Sequence, residues 1–387
     1  MHLDQFDYHL PKSLIAQQPL DERSASRLMA IDRATGACAH SVFSDLPGLL
    51  HAGDVLVLNR SRVIPARLYV RRATGGRVEL FVTRILPDGS VRAMANPMRR
   101  LRVGDRLQGE NGGFECRVLE RLNDRELHVR FESSPDTAAL PESSPDTVAL
   151  PESAPDTAAL LESSPDTAAL LESSPDTVAL LESYGHVPLP PYITRPDEPS
   201  DRDRYQAVYA ETNGSVAAPT AGLHFTPELL DEIKSVGVEI TSLVLHVGLG
   251  TFLPLDRDDI AQNKLHSELF SIDGRTLEAI RAAKSEKRRV IAVGTTVTRV
   301  LETVAQRGLL DAAAPGVDVN SETDLFIYPG YHFKCVDALI TNFHLPRSSL
   351  LLLVSSFLGV DKTLSCYQNA VDAKYRFYSY GDAMFIR

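Results

Sequence analysis

The sequence predicts an α/β fold, a mostly parallel sheet flanked by helices, with an inserted small antiparallel β-barrel domain. From about residue 204 onward, apolar segments of strand length alternate with amphipathic helical segments, which is typical of a parallel sheet covered on both faces. The segment GDVLVLN at residues 53–59 is the same kind of strand, so we expect the first 65 residues to join that sheet. Residues 66–131 instead show the short alternating segments of an antiparallel barrel.

These observations divide the chain into five predicted parts. Two separated segments build the α/β domain, and the barrel and a repeat array lie between them. The predicted bounds are 1–65 for the first α/β segment, 66–131 for the barrel, 132–183 for the repeat insert, 184–203 for a return linker and 204–387 for the second α/β segment.

The predicted barrel has four recognisable strand segments, RLYVRRA, RVELFVTRIL, SVRAMANP and FECRVLERL. The turn signals TGG, PDG and ENGG separate them, as expected for strands joined by hairpins. This part of the chain should be mostly β.

The repeat insert contains five copies of a decapeptide related to ESSPDTAALP and the start of a sixth. It holds six Glu, five Asp and no Lys or Arg, so it accounts for the whole formal net charge of −11. A proline recurs every ten residues and prevents a continuous helix, which favours a flexible or weakly helical surface insert over a packed repeat domain. Expansion of a tolerated loop would explain the array without any function.

The composition is that of a globular protein; the cysteine pattern favours a cytoplasmic location, and we expect a monomer. Of the 387 residues, 43% are hydrophobic and 24% are charged. The four cysteines are far apart in sequence, which favours buried, reduced thiols over a zinc site. The sequence shows no signal-peptide pattern, and its apolar runs are shorter than a membrane span, so neither export nor membrane insertion is expected.

Two loops have the composition of ligand-binding corners. The loop GSVAAPTAGLHF leads into the helix predicted for FTPELLDEIKSVG, where Thr226 is the cap and Pro227 lies in the first turn. The strand of VIAVGTTVTRVLE passes through Gly294 into a second helix. Helix N-termini reached through small residues suit a carboxylate or a hydroxyl-rich ligand, although a tight packing corner has the same composition. Arg299 could reach a ligand carboxylate or form a surface ion pair.

Three histidines follow in a short span and are candidates for proton transfer: His224, His246 in LHVGLGTF, and His266 in KLHSELF. Histidine titrates near neutral pH and is the usual general acid or base, but a buried histidine is also commonly a hydrogen-bonded core residue. Glu268 could lie on the same strand face as His266. Neither a nucleophile elbow nor a zinc-ligand pattern is present in the sequence.

Arginines cluster in NRSRVIPARLYVRRATGGR and in NPMRRLRVGDR. With aromatic side chains nearby, they could contact RNA phosphates, or they could cover a solvated sheet face. Because the chain outside the insert is neutral, RNA binding is compatible with the overall acidity. The candidate RNA-binding residues are Arg60, Arg62, Arg67, Arg71, Arg72, Arg99 and Arg100.

Several long motifs, in order along the chain, resemble the S-adenosylmethionine:tRNA ribosyltransferase-isomerases of queuosine biosynthesis. They include FDYHLPKSLIAQQPLDERSASRLM, GSVAAPTAGLHFTPELL, LHVGLGTF, VIAVGTT, FIYPGY, VDALITNFHLP and YRFYSYGDAMFI. The resemblance covers nearly the whole chain apart from the repeats. It implies an α/β domain with an inserted β-barrel, which agrees with the fold predicted above.

The resemblance also implies a reaction. S-adenosylmethionine donates its ribosyl unit, as a co-substrate, to 7-aminomethyl-7-deazaguanine at the wobble position of tRNA. Adenine and methionine leave, epoxyqueuosine forms, and no metal or redox cofactor is required. Such a reaction needs a base beside the sulfonium and an acid for adenine, roles that histidines can fill.

We assign candidate roles on this basis. The catalytic candidates are His224 and His246, then His266 and Glu268, and then Asp382 of YGDAM. The candidates for S-adenosylmethionine binding are Pro219, Thr220, Gly222, Gly250, Thr251, Gly294, Thr295, Thr296 and Arg299.

The chain departs from the family pattern at two places. Arg60 stands where family members commonly have an acidic residue or Asn, and the decapeptide array is not typical. Deleting residues 132–181 is expected to leave activity intact.

Two rival functions stay open: a non-catalytic tRNA-binding protein on the same scaffold, and an S-adenosylmethionine-using enzyme that acts on a free nucleoside. The basic β region disfavours the second rival, because a small substrate needs no such surface.

Overall fold

The computed structural model describes residues 1–133, 175–248, 255 and 257–387. These residues form two compact units. The first unit consists of Met1–Pro65 and Val187–Arg387, and the second consists of Ala66–His186. Most of the decapeptide array lies outside the described residues.

Strands of the first unit form one large sheet and one small sheet. The large-sheet strands are β1 (Arg27–Ile31), β2 (Cys38–Val42), β3 (Val55–Asn59), β12 (Glu239–Leu245), β13 (Glu268–Ile272), β14 (Val290–Val293), β15 (Val319–Thr323), β16 (Ala338–Asn342) and β17 (Ala383–Ile386). The small sheet pairs β4 (Ser61–Val63) with β11 (Thr212–Ser215) in parallel.

The second unit contains the strands β5 (Arg67–Arg72), β6 (Arg77–Ile85), β7 (Val91–Asn96), β8 (Arg106–Gly109), β9 (Phe114–Arg121) and β10 (Glu126–Ser133). The described α-helices are α1 (Pro175–Tyr184), α2 (Asp201–Arg204), α3 (Pro227–Ser235), α4 (Gly274–Ser285), α5 (Thr295–Gln306), α6 (Leu309–Ala312), α7 (Ser349–Leu358) and α8 (Val360–Asp372).

Within the described ranges, the large sheet has nine strands in the order β15-β13-β12-β3-β14-β16-β17-β1-β2. The four central strands, β12, β3, β14 and β16, are mutually parallel. On one side β13 and β15 continue antiparallel, and on the other side β17 is antiparallel to β16 and parallel to β1. The prediction of a mostly parallel sheet is therefore right for the centre and only approximate for the whole.

Burial explains where the parallel arrangement occurs. Every residue of β3, β14 and β16 is buried, as expected for strands covered on both faces. In β13, buried positions alternate with partly exposed ones, the pattern of a strand with one solvated face. Apolar runs predict that a segment is a strand, but chain connectivity decides its direction.

The second unit contains a closed antiparallel barrel, which confirms the inserted barrel of the prediction. In the part of the chain that the structure describes, its six strands close in the order β10-β7-β6-β5-β8-β9. Alternating residues such as Leu68, Val70, Leu80 and Val82 are buried and fill the interior. The predicted strand segments correspond to β5, β6, β7 and β9.

Helix α1 contains the described residues of the last complete decapeptide copy, 175–181, and the three residues that follow them, and it belongs to the barrel unit. It begins at Pro175, a favourable residue in the first turn. Leu181 is fully buried, and the hydroxyl of Thr177 donates a hydrogen bond of 2.7 Å to the carbonyl oxygen of Gly89. Residues 175–181 of this copy are therefore part of a folded unit.

The predicted helix after the small-residue loop is present as α3. Thr226 is its N-cap and accepts a hydrogen bond of 3.2 Å from the backbone N–H of Leu229. Among the described helices, none is by itself long and apolar enough to cross a membrane; α7 and α8 together reach that length and composition but are bent by 114°.

Candidate active site

The candidate site lies at the carboxyl edge of the central parallel strands of the first unit. The segments that follow β12, β3, β14 and β16 all leave the sheet at this edge, where ligands bind in open α/β sheets. Among the candidate residues, His246 directly follows β12, Arg60 follows β3, and Gly294 follows β14.

A buried polar network holds the loop GSVAAPTAGLH at this edge. The hydroxyl of Ser215 donates to the carbonyl oxygen of Ala217 at 2.7 Å and accepts from the backbone N–H of Val247 at 3.0 Å. The side chain of Asn59, the last residue of β3, exchanges hydrogen bonds of 3.1 and 3.0 Å with the backbone of Leu245. The ends of β3 and β12 and the loop are thereby fixed to one another.

His224 lies in a second set of buried polar contacts, with 4% of its surface exposed. Its Nδ1 is 2.7 Å from the hydroxyl oxygen of Ser26, and its Nε2 is 3.2 Å from the amide nitrogen of Asn342. The ring also stacks on Phe43 at a centroid distance of 4.9 Å. Burial lowers the pKa of His224 to about 4, so the imidazole is neutral at pH 7.

This network assigns a tautomer to His224. The amide of Asn342 donates to the carbonyl oxygen of Tyr378 at 2.9 Å and, with its second proton, to Nε2 of His224. Nε2 is then an acceptor, and the proton resides on Nδ1 and is donated to Ser26. Both ring nitrogens are therefore engaged before any ligand binds.

The cleft beside His224 is small. It has a volume of about 20 Å³ and is lined in part by Arg23, Ser26 and Tyr380. A space of this size admits about one water molecule and no nucleoside.

His246 is in a different environment. It is partly exposed and directly follows β12, and its backbone N–H donates to the carbonyl oxygen of Leu269 at 3.0 Å. Its imidazole lies against Gly214, whose φ is +129°; a Cβ at that position would be 2.8 Å from Nδ1 and Cε1 of the ring. Glycine is required here both for the backbone angle and for the space that the imidazole occupies.

Glu268 and Arg299 form a buried ion pair, with side chains that are 6% and 7% exposed. The second carboxylate oxygen of Glu268 accepts a hydrogen bond of 2.8 Å from the backbone N–H of Gly248. Arg299 also donates to the carbonyl oxygens of Leu325 and Thr323, at 3.0 and 3.2 Å. The carboxylate therefore compensates the guanidinium, and Glu268 links Arg299 to the segment after β12 through Gly248.

Three neighbouring parallel strands end in buried polar atoms that have no hydrogen-bond partner among the described residues. They are the hydroxyl of Ser61 after β3, the hydroxyl of Thr296 after β14 and the Oδ1 of Asn342 at the end of β16. An unsatisfied buried polar group costs about 1–3 kcal/mol, so these three atoms on adjacent strand ends are hydrogen-bonding groups that an ordered water or a ligand can satisfy. Thr296 also lies at the N-terminus of α5, which carries partial positive charge.

The other catalytic candidates lie in different surroundings. Asp382 is 1% exposed and accepts hydrogen bonds of 2.9 and 2.7 Å from the backbone N–H groups of Arg27 and Arg376. Burial raises the pKa of its carboxyl group. His266 is exposed and precedes β13, whereas Glu268 is buried, so these two side chains do not share an environment.

The small residues of the loop are placed for close packing. Gly222 accommodates the hydroxyl of Tyr209, which would be 2.3 Å from an added Cβ, and its N–H donates to the carbonyl oxygen of Pro219 at 2.8 Å. Thr220 begins the 3-10 helix Thr220–His224, and Thr295 begins α5. Gly250 and Thr251 lie outside the described residues.

The candidate RNA-binding arginines are divided between the two units. In the first unit, Arg62 is exposed and Arg60 lies 3.9 Å from Asp273. In the barrel, Arg67 lies 3.1 Å from Glu79, and Arg71 pairs with Glu110. The remaining barrel candidates are the partly exposed Arg72 and the exposed Arg99 and Arg100.

Sequence reasoning missed Ser26, Ser61 and Asn342. Ser26 and Asn342 contact His224 from positions 198 and 118 residues away. Ser26 and Asn342 lie within the family-like motifs quoted above, but all three are common residue types that no catalytic pattern singles out, so the sequence did not suggest that they meet at this edge. The described residues include no cluster of three or more His, Cys, Asp or Glu side chains that could hold a metal ion.

The comparisons with known proteins agree with one another. A family model described as "Queuosine biosynthesis protein" matches residues 3–386. A relative from Heliobacterium modesticaldum (strain ATCC 51547 / Ice1), named S-adenosylmethionine:tRNA ribosyltransferase-isomerase, is 44% identical over 387 residues, which cover 100% of both chains. A crystal structure of an S-adenosylmethionine tRNA ribosyltransferase from Thermotoga maritima has a TM-score of 0.50 and 32% identity over 99% of this chain and 100% of that chain. Because the family model matches residues 3–386 and a relative is 44% identical over its full length, this chain belongs to the queuosine biosynthesis protein family.

Proposed function

We propose that this protein transfers and isomerises the ribosyl moiety of S-adenosylmethionine onto 7-aminomethyl-7-deazaguanine at the wobble position of tRNA. Epoxyqueuosine forms, and adenine and methionine are released. The observation that carries this proposal is the 44% identity, over the full length of both chains, to the S-adenosylmethionine:tRNA ribosyltransferase-isomerase of Heliobacterium modesticaldum.

S-adenosylmethionine is proposed to bind at the carboxyl edge of β3, β14 and β16. The hydroxyls of Ser61 and Thr296 and the amide oxygen of Asn342, which have no partner within the described ranges, support this location, because ribose hydroxyls and an amino group would satisfy them. The N-terminus of α5 would attract the methionine carboxylate. We propose that Arg299 supports the structure of the site and does not bind the ligand carboxylate, because Glu268 already compensates its charge.

His246 is the preferred proton-transfer residue. It is partly exposed at the strand edge, whereas His224 is buried beside a cleft of only about 20 Å³. A base must reach the proton beside the sulfonium, and an acid must reach the departing adenine. His224 is proposed to hold the loop and the end of β16 in place, and Asp382 to fix the backbone at Arg27 and Arg376.

The barrel unit is proposed to contribute tRNA contacts through its exposed arginines, including Arg99 and Arg100. Because the substrate is a tRNA, we place the reaction in the cytoplasm, and we expect the protein to act as a monomer. Cell fractionation and analytical ultracentrifugation test these two expectations.

One experiment tests the activity directly. Purified protein is incubated with S-adenosylmethionine and with tRNA that carries the deazaguanine precursor, and the digested nucleosides are analysed by mass spectrometry. Ribosyl addition together with adenine release is the expected result. Tight tRNA binding without either product would favour the rival function of a non-catalytic tRNA-binding protein.

Measuring both kcat and the melting temperature of each variant distinguishes the roles of the two histidines. His246→Ala is expected to lower kcat by roughly a hundredfold or more without changing the melting temperature, as for loss of a general acid or base. His224→Ala, in contrast, should lower the melting temperature, because it removes two buried hydrogen bonds. Wild-type turnover by His246→Ala would contradict the assignment.

The S-adenosylmethionine site is tested with a matched pair of variants. Thr296→Val removes a hydroxyl that has no partner in the described part of the chain, so it should weaken S-adenosylmethionine binding without lowering stability. Thr303→Val in the same helix removes a hydroxyl bonded to Thr323 and to the carbonyl oxygen of Arg299, so it should lower stability and leave the affinity unchanged. Calorimetry and thermal unfolding measure the two effects.

A further inference from the structure

The barrel unit contains a cleft that no part of the reaction described above uses. It has a volume of about 240 Å³. Pockets for drug-sized ligands are about 300–1,000 Å³, so this one suits a single ring system. Its lining residues are Tyr69, Arg77, Glu110, Asn111, Phe114, Tyr184 and His186.

Aromatic rings line most of this cleft. The Tyr69 and His186 rings meet edge to face at 5.1 Å, and those of Phe114 and Tyr184 lie 5.1 Å apart. Tyr69 and Tyr184 are partly exposed, so their rings are accessible from the cleft. Aromatic side chains of this kind are the surfaces on which unpaired nucleobases stack.

Positive charge lies at the mouth of the cleft. The guanidinium of Arg77 lies 4.0 Å from the centroid of the Tyr69 ring and pairs with Glu110 at 2.9 Å. Arg71 pairs with the same carboxylate, so two guanidinium groups share one negative charge. Both arginine side chains are about half exposed, at 51% and 56%, and are therefore available to a phosphate.

Helix α1, which begins in the last complete decapeptide copy and ends just after the repeats, supplies one wall. Tyr184 is the final residue of α1, and its hydroxyl occupies the space beside Gly113, where an added Cβ would be 2.2 Å away. Gly113 has φ +82°, a backbone angle that favours glycine. The buried Leu181 and the hydrogen bond of Thr177 to Gly89 anchor the same helix.

We propose that this cleft binds one unstacked nucleobase of the tRNA, with Tyr69 and Tyr184 as stacking surfaces, Asn111 at the base edge and Arg71 and Arg77 at the adjoining phosphates. The proposal rests on the proposed function for the identity of the RNA. It gives the final complete repeat copy the role of anchoring the helix that carries Tyr184, whereas the preceding copies need no role.

Equilibrium binding of the full-length protein to the precursor tRNA, without S-adenosylmethionine, tests the proposal. Tyr184→Ala should raise Kd by about five- to a hundredfold, the effect of losing one stacked base, whereas Tyr184→Phe keeps the ring and should bind like the wild type. Arg77→Gln should weaken binding and reduce its salt dependence. Arg121→Gln is the matched control, because this exposed barrel arginine pairs with Asp124 outside the cleft and should bind like the wild type.

A second variant distinguishes a loss of tRNA binding from a loss of folding. Asn111 is exposed, so Asn111→Ala should fold normally and still weaken tRNA binding. Ultraviolet crosslinking followed by mass spectrometry should attach a nucleotide to a peptide containing Tyr69 or Tyr184. Unchanged Kd values for folded Tyr184→Ala and Asn111→Ala would overturn the proposal. Because this measurement does not require turnover, absence of ribosyl transfer by the wild type would contradict the proposed function alone.

Discussion

The Nδ1 atom of His224 lies 2.7 Å from the hydroxyl oxygen of Ser26, so a residue before β1 is joined to the loop that precedes α3. The same imidazole lies 3.2 Å from the amide of Asn342 at the end of β16. One neutral, buried ring thus connects three distant segments of the chain at the carboxyl edge of the sheet.

This burial predicts a pH dependence of stability. The pKa of His224 is lowered to about 4, against about 6.5 in an unfolded chain. Between these values the unfolded state binds a proton that the folded state does not, so the stabilisation is complete above pH 6.5 and is lost as the pH falls toward 4. Burial lowers the pKa of His344 to about 3, which acts in the same direction.

Urea unfolding at a series of pH values measures this effect. Each buried histidine should contribute a slope of up to about 1.4 kcal/mol per pH unit in that window. His224→Gln should flatten the curve, and His266→Gln, at an exposed position, is the control that should not. An unchanged slope in His224→Gln would contradict the burial argument.

Gly214→Ala is expected to lower kcat by roughly a hundredfold. An added Cβ would be 2.8 Å from the His246 ring and would have to adopt a φ of +129°, so the imidazole must move. Gly48→Ala is the control, because its Cβ would meet nothing within 4 Å. Steady-state kinetics compare the two variants, and circular dichroism checks that both fold. Equal rates would show that His246 takes no part in the reaction.

Arg299→Ala is expected to destabilise the protein by about 3–5 kcal/mol, since it leaves the carboxylate of Glu268 buried without its cation. Glu268→Gln with Arg299→Met should recover part of this loss, because neither charge then remains in the interior. Chemical unfolding measures the free energies. A loss below 1 kcal/mol for Arg299→Ala would show that the pair is exposed in solution.

Deleting residues 142–171 is expected to leave ribosyl transfer and tRNA affinity unchanged. The deletion removes three complete decapeptides and joins two copies in register. It keeps Thr177, Leu181 and Tyr184, which a deletion through residue 181 would not keep in full. Tenfold weaker tRNA binding by a folded protein would show that the removed copies take part in recognition.

Cys38 and Cys366 are expected to form a disulfide under mild oxidation. Their sulfur atoms are 3.1 Å apart, and the thiol of Cys366 lowers the pKa of Cys38 by stabilising its thiolate. With oxidised glutathione as the reagent, the two thiols lose two protons and two electrons, and the reagent is reduced to two thiols. Peptide mapping should find the bond in the wild type and not in Cys38→Ser, while the buried Cys116 and Cys335 stay reduced.

The sequence determined the elements with strong local signals. Fully apolar segments predicted β3, β14 and β16, turn signals between alternating segments predicted the barrel, and Thr226 with Pro227 predicted the start of α3. The long ordered motifs predicted the family, because many matches spread along a chain do not arise by chance. These features depend on residues that are close together in sequence.

Only the tertiary structure decided which polar groups meet. It brings Ser26 and Asn342 to His224, pairs Glu268 with Arg299, and leaves buried polar atoms on Ser61, Thr296 and Asn342 without partners in the described residues. It also makes the sheet antiparallel toward its edges and packs the last decapeptide copy into the barrel unit. Hydrogen bonds and strand directions of this kind depend on how distant segments are connected in space, and no local pattern of residue types encodes that connection.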